Sequence, residues 1–300
     1  MSLPECGPTP QLADRAGRTA TNASVALGAR AAIAIAALLV VPVAAAAEPD
    51  AGGVSGLPSG DDVARSVNAR DDGQWASRTL VMELTDRSGR TRTRTARSYR
   101  RYFGDEKRSV LFFVEPNSIR DTAFLSYDYP EAGREDDQWI YLPAVRKSRR
   151  VAAADRGQSF LGTDFSYEDI KKETKLGISD YRWKILGEEA VDGRPCWQLE
   201  AIPVDDVTAG QLGYSRVLLR VDRAWKLPVF VEYWDLGSQL LKTVRMADVR
   251  DVQGIWTPHR VEARNPRTGH ATVFTFDEVD YSVELDEGLF TERALRRGAP

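Results

Sequence analysis

The sequence predicts a mainly β (α+β) fold, a long antiparallel meander carrying only short helices. Three observations lead there. From Val110 onward, runs of about four to eight apolar or β-branched residues recur at intervals of about ten. They are broken at Pro116-Asn117, Asp192-Gly193, Leu236-Gly237, Gln253-Gly254 and Arg267-Thr268-Gly269, all of which carry turn formers. Shortly after residue 70 the spacing of apolar residues changes from a helical period to strict alternation. Long stretches of helical period, which the crossovers of a parallel sheet demand, are missing.

The chain opens on an address. Arg15, Arg18 and Arg30 precede an apolar run from Ala31 to Val43, and Ala45-Ala46-Ala47 supplies small residues for a signal peptidase. Residues 1–47 are therefore expected to be a cleavable signal peptide that sends the protein to the periplasm. The apolar run is shorter than the ~20 residues of a membrane span. No Cys follows it, so no lipid anchor is expected, and no Arg-Arg pair marks the twin-arginine route. Residues 48–60, rich in Gly, Ser and Pro, read as a flexible lead-in, and residues 61–300 as a single domain.

A short helix is expected next, capped by Asp61 or Asp62, with Val63 and Val67 on the face that meets the sheet. Leu80, Met82 and Leu84 then share one face of a strand, and Asp86-Arg87-Ser88-Gly89 turns it. The return strand, Arg90 to Phe103, alternates Arg90, Arg92 and Arg94 with Thr91, Thr93 and Thr95. The plain reading of that arginine row is a solvated face paired across the hairpin with Glu83; the other is an anion-facing surface. Farther on, Val217-Leu218-Leu219 and Val229-Phe230-Val231 break the alternation, so both faces of those strands are covered. A curved sheet with elements packed in its concave face achieves this, and so does a closed barrel. The final helical pattern, Leu289 to Arg297, is too short to organise a domain.

Composition narrows the chemistry. The net charge is −3 with both signs interspersed, which argues against a nucleic-acid protein. With Cys6 in the leader, Cys196 has no partner for a disulfide after processing. Neither His259 nor His270 stands in a metal or nucleophile spacing, and HExxH, CxxC, GxSxG and phosphate-loop patterns are all absent. A Cys196–His259 dyad is conceivable, yet Cys196 lies inside an apolar strand, where Cys is ordinarily a small hydrophobe. No enzyme, metal or cofactor is expected.

The segment from Gln138 to Asp169, QWIYLPAVRKSRRVAAADRGQSFLGTDFSYED, is the anchor for function. An aromatic strand (Trp139 to Leu142) is followed by a basic cluster (Arg146, Lys147, Arg149, Arg150), an aromatic turn (Phe160, Phe165, Tyr167) and the acids Asp164, Glu168 and Asp169. The aromatics are core residues on the plain reading, the bases a solvated loop or edge strand, and the acids the first turn of a helix in which Ser166 and Asp169 form a capping box. The functional readings are a lined pocket, an anion-binding rim that pairs bidentately with head groups, and, for the acids, a docking point for a partner or a divalent-cation or paired-carboxylate site, whose spacing does not match an EF-hand. The bases and acids could also pair with each other and fix a lid.

This segment resembles the signature of periplasmic outer-membrane lipoprotein-sorting proteins, the LolA-like clan. The resemblance extends to SVLFFVE (Ser109 to Glu115), Pro116, Ile119 to Leu125, Tyr214 to Asp222, Leu227 to Asp235 and Leu241 to Thr243, and thus from Asp62 to Leu295. Two departures are Asp121, where a turn Gly is expected, and Lys147-Ser148, in place of a more uniformly Arg/aliphatic pair. The resemblance implies a curved antiparallel sheet forming an incomplete barrel of about ten or eleven strands, with short helices as a lid. It further implies a non-catalytic carrier of lipid or acylated lipoprotein, served by an inner-membrane transporter. Trp139, Tyr141, Phe160, Phe165 and Tyr167 would line the apolar cavity, and Arg146, Arg149, Arg150, Glu168 and Asp169 would stand at its rim or meet a partner. The alternative is a docking module with a packed core and no lipid cargo.

Overall fold

The computed structural model describes residues 56–131 and 133–300. The signal-peptide expectation and most of the lead-in lie outside these residues. Thirteen strands form one antiparallel sheet, in place of the ten or eleven expected. In chain order they are β1 (Trp75–Thr85), β2 (Thr91–Phe103), β3 (Glu106–Glu115), β4 (Ala123–Asp128), β5 (Asp137–Leu142), β6 (Lys147–Arg150) and β7 (Tyr181–Val191). They continue as β8 (Arg194–Pro203), β9 (Arg216–Asp222), β10 (Pro228–Trp234), β11 (Leu240–Val252), β12 (Ile255–Asn265) and β13 (His270–Asp280). Helices α1 (Gly60–Asn68), α2 (Tyr167–Lys172), α3 (Asp206–Leu212) and α4 (Glu292–Arg297) are all short.

The spatial order is β6-β5-β4-β3-β2-β1-β13-β12-β11-β10-β9-β8-β7. Every neighbour is therefore a hairpin partner except β1 and β13, which zip two meanders together. The sheet is curved but does not close, because β6 and β7 remain edges. The ten or eleven strands are implied by the family resemblance rather than by a count along this chain, and the two edges are its weakest strands. Lys147–Arg150 contains no apolar residue, and β7 is largely exposed beyond Ile185, so neither has the strong apolar pattern by which a strand is read from sequence.

Between the two edges the chain from Val151 to Asp180 crosses the concave face. Val63 and Val67 of α1, Phe160 and Phe165 of this crossing segment, and Leu80, Met82, Phe124, Val231 and Phe274 of the sheet belong to one continuous core. The N-cap of α1 is Ser59, whose Oγ accepts from the Asp62 amide at 3.1 Å, rather than Asp61 or Asp62. The helix begins two or three residues earlier than a cap at Asp61 or Asp62 implies. Register also corrects the arginine row. Glu83 stands opposite Thr93, whereas Arg92 and Arg94 stand opposite Leu84 and Met82, on the core side of the hairpin end. Arg94 uses that position to donate to the Leu161 carbonyl at 2.8 Å.

A second core lies on the other face of the sheet. Val110, Phe112, Ala123, Leu125 and Tyr141 are covered there by Leu285, Phe290 and Leu295 of the C-terminal segment. The short final helix thus seals an outer face.

A cavity under the crossing segment

The crossing segment is built from tight local devices. At Gly157 the backbone runs so close to α3 that a Cβ would sit 2.4 Å from the Leu212 carbonyl oxygen, and the Gly157 amide donates to Gln211 at 2.9 Å. Leu161 and Gly162 both take positive φ and reverse the chain. Ser166 then caps α2. Its Oγ accepts from the Asp169 amide at 3.1 Å while the Asp169 carboxylate accepts from the Ser166 amide at 2.7 Å, the expected capping box.

Ion pairs fasten this segment to the sheet. Lys171 is fully buried, with its Nζ against Asp136, 2.9 Å from Glu168 and 3.9 Å from Asp128. Lys172 pairs with Asp128 at 2.7 Å, Arg78 with Glu173 at 2.7 Å, and Lys242 with Asp169. Asp164 accepts from Thr272 at 2.7 Å and meets His270 Nδ1 at 2.6 Å. Burial pushes Glu168 up, but Lys171, Lys172 and Arg156 outweigh it and hold the carboxyl below the usual range. Burial also opposes ionisation of Glu173, yet Arg78, Arg100 and Lys107 bring it down to about 2. The acids at 164–169 thus each face a cation or hydroxyl, although the Glu168 oxygens have no hydrogen-bond partner among the described residues. Among the described residues no group of three or more His, Cys, Asp or Glu is placed to hold a metal ion.

Between this segment and the sheet is a cavity of about 170 Å³. Its wall is apolar where β9 to β13 pass beneath it, with Val217, Leu219, Val231, Val244, Met246 and Phe274. Leu80, Leu111 and Phe124 extend that wall across the sheet, while Phe165, Ile170 and Leu176 form the roof. Tyr181, Tyr214 and Tyr233 add a phenolic strip, and burial raises all three hydroxyls well above their ordinary pKa, so they stay neutral. Trp256, 41% exposed, lines the cavity where it reaches the surface.

The structure brings together only part of the residues singled out from sequence. Phe165, Glu168 and Asp169 line the cavity. Phe160 is fully buried, stacks on Phe113 and meets Tyr167 edge-on behind the roof. Trp139 and Tyr141 point to the opposite face, into the second core, with Trp139 edge-on to Tyr127. Alternation fixed that these two share a face but not which face, and the cavity side of β5 belongs to Gln138 and Ile140. Arg149 and Arg150 lie on the exposed edge strand β6, 3.9 Å from Asp155 and against Asp137 respectively, and Arg146 sits in the left-handed turn before it. None of the three lines the cavity. The cations that do are Arg70, Arg78, Arg100, Lys172 and Lys175, drawn from separate parts of the chain that the structure brings together. Cys196 is buried beside Leu227 and Val229, and burial pushes its thiol up, away from a reactive thiolate.

Residues 105–297 match the model of a family described as uncharacterized. A protein domain assigned to outer-membrane lipoprotein sorting, from Vibrio parahaemolyticus, superposes with a TM-score of 0.72 at 29% identity, covering 79% of this chain and 98% of its own. A DUF1329 family protein from Desulfovibrio piger gives a TM-score of 0.72 at 29% identity, over 79% and 97%. The LolA superfamily protein NE2245 from Nitrosomonas europaea shares the fold, with a TM-score of 0.61 at 21% identity over 79% and 100%. No match is found among the curated proteins. With the incomplete β-barrel, the short helices of its concave side and these relatives in agreement, the chain belongs to the LolA-like family.

Proposed function

We propose that this protein is a non-catalytic periplasmic carrier that takes the acyl part of a lipid or lipoprotein into the cavity under α2 and hands it on. One observation carries this reading: the concave face of an unclosed sheet is not filled by the segment that crosses it, and the space left is walled mainly by aliphatic and aromatic side chains. Each acyl CH₂ moved there from water contributes about 0.8 kcal/mol. The cavity is close to the ~150 Å³ that holds a benzene-sized guest and below the ~300 Å³ at which ordinary ligand pockets begin. A long acyl chain therefore requires the segment from Val151 to Asp180 to lift. The signal peptide at 1–47, the single domain at 61–300 and delivery by an inner-membrane transporter are parts of the same proposal.

The small volume also favours a second reading, a docking module whose interior stays packed. Native mass spectrometry of protein purified from the periplasm, with solvent extraction of bound lipid, separates the two. The carrier gives a stoichiometric acylated species. A bare mass that persists after incubation with membrane lipid and with acylated lipoprotein leaves the docking module. Val244→Trp, which fills the cavity from its floor, is expected to lower lipid occupancy at least about tenfold, since an indole displaces several CH₂ groups. Unchanged occupancy in that variant would place the lipid elsewhere.

A further inference from the structure

The charges at one end of the cavity do not balance. Arg70, Arg78, Arg100 and Lys175 line it there, and the carboxylates that answer them are Asp72 and Glu173. Arg78 pairs with Glu173 at 2.7 Å, Arg100 with Asp72 at 2.9 Å, and Lys175 with Asp72 at 3.0 Å. Arg70 has no carboxylate within 4.0 Å among the described residues. It donates instead to the Asp71 carbonyl at 3.1 Å, the Trp256 carbonyl at 3.4 Å and Thr174 Oγ1 at 2.7 Å. The remaining acids of the lining are already engaged, Glu168 by Lys171, Asp169 by Lys242 and Asp180 by Arg156. Lys172, the fifth lining cation, belongs to Asp128. Four cations thus face two carboxylates, and charge removed from water is stable only when it is compensated.

A separate observation marks the same place. Arg100 is 2% exposed and Ser109 is 7% exposed, and both line the cavity. Among the described residues, Arg100 Nε, 3.9 Å from Glu173, and Ser109 Oγ have no hydrogen-bond partner, and neither has the buried Nε of Arg70. Arg100 and Ser109 stand directly opposite each other in the β2–β3 register. Buried donors left open in a basic, partly solvent-connected space are the chemistry of an anion site.

We propose that this basic end is a head-group subsite for a single anion, a carboxylate or phosphate carried on an apolar chain, held by Arg70, Arg100 and Ser109. The subsite rests on the carrier reading, because it supposes that the chain of the same ligand occupies the apolar part. The cargo class is then an anionic amphiphile, and neutral alkyl compounds are poor cargo.

The test uses the whole processed protein and a neutral fluorescent probe, N-phenyl-1-naphthylamine, displaced by decanoate, decyl phosphate, decanol and inorganic phosphate. Decanoate and decyl phosphate are expected to displace it at least about tenfold more effectively than decanol, the usual worth of a charge-assisted hydrogen bond. In Arg70→Gln the ratio of decanoate to decanol should fall toward one, Arg70→Lys should keep part of it, and Ser109→Ala should lower it more modestly. The readout is a ratio, so a change in cavity size common to both ligands leaves it unmoved. Equal displacement by decanoate and decanol overturns the subsite while leaving the carrier. Inorganic phosphate competing as well as decyl phosphate overturns the head-group assignment in favour of a free-anion site. If no alkyl compound displaces bound probe, or the probe never binds, the carrier reading fails and the subsite with it.

Discussion

Lys171 shows how one side chain decides the state of its neighbours. Its ammonium, with no exposure to solvent, stands among Asp128, Asp136 and Glu168. Removing one partner of such a group leaves the others buried and uncompensated, which costs more than the pair itself contributed. Lys171→Met should therefore lower stability by about 3–5 kcal/mol in chemical denaturation. The double variant Lys171→Met with Glu168→Leu should recover part of that loss. If the single variant is neutral, the cluster is solvated and does not fasten α2. Asp121 makes a different point at the same scale. It stands where a turn Gly is expected, and its φ is 65°, in the left-handed region that favours glycine and that Asp tolerates better than most residues. The departure in sequence preserves the backbone.

Helix α2 has six residues, too few to persist on its own. It survives because its capping box satisfies the first turn and because Glu173, at its end, is gripped by Arg78. Ser166→Ala is expected to cost about 1 kcal/mol by loss of the cap. Acid should act here as well. Glu173 titrates near 2 when folded against 4.5 ordinarily, so its contribution is complete above pH 4.5 and is lost as the pH falls toward 2. Amide exchange of residues 166–176 should accelerate across that window before the sheet melts, and Glu173→Gln should remove much of the pH dependence. Uniform acceleration over the whole chain would show that α2 does not open separately. The capping box was legible in Ser166 and Asp169 because it is local. The gripping cations were not, since Arg78, Lys107 and Lys242 lie on distant strands.

At the scale of the molecule, the C-terminal segment is an integral part of the fold. Phe290 and Leu295 are fully buried against the outer face of β3 to β5, Tyr127 donates to the Phe290 carbonyl at 2.7 Å, and Arg101 to that of Leu285 at 2.6 Å. Ending the chain after Ser282 would uncover Val110, Phe112, Leu125 and Tyr141 together. An exposed apolar face of that kind promotes association. The truncated protein is expected to bind anilinonaphthalene sulfonate and to elute as aggregates in gel filtration, whereas a monomer with the parent's melting temperature would show the segment to be dispensable.

The sequence by itself determined the fold class, the meander, the capping box and the family, because each is written in near neighbours or in a fixed order of residues along the chain. It also determined that Trp139 and Tyr141 share a face. Only the tertiary structure decided which face that is, that β6 and β7 do not pair with each other, and that the cavity's cations are Arg70, Arg78, Arg100, Lys172 and Lys175 rather than the run from Arg146 to Arg150. The physical reason is one of range. Period and turn chemistry act over a few residues, whereas burial and ionic partnership are set by which strands a curved sheet brings together, and charges spread over a hundred positions carry no local mark of their meeting.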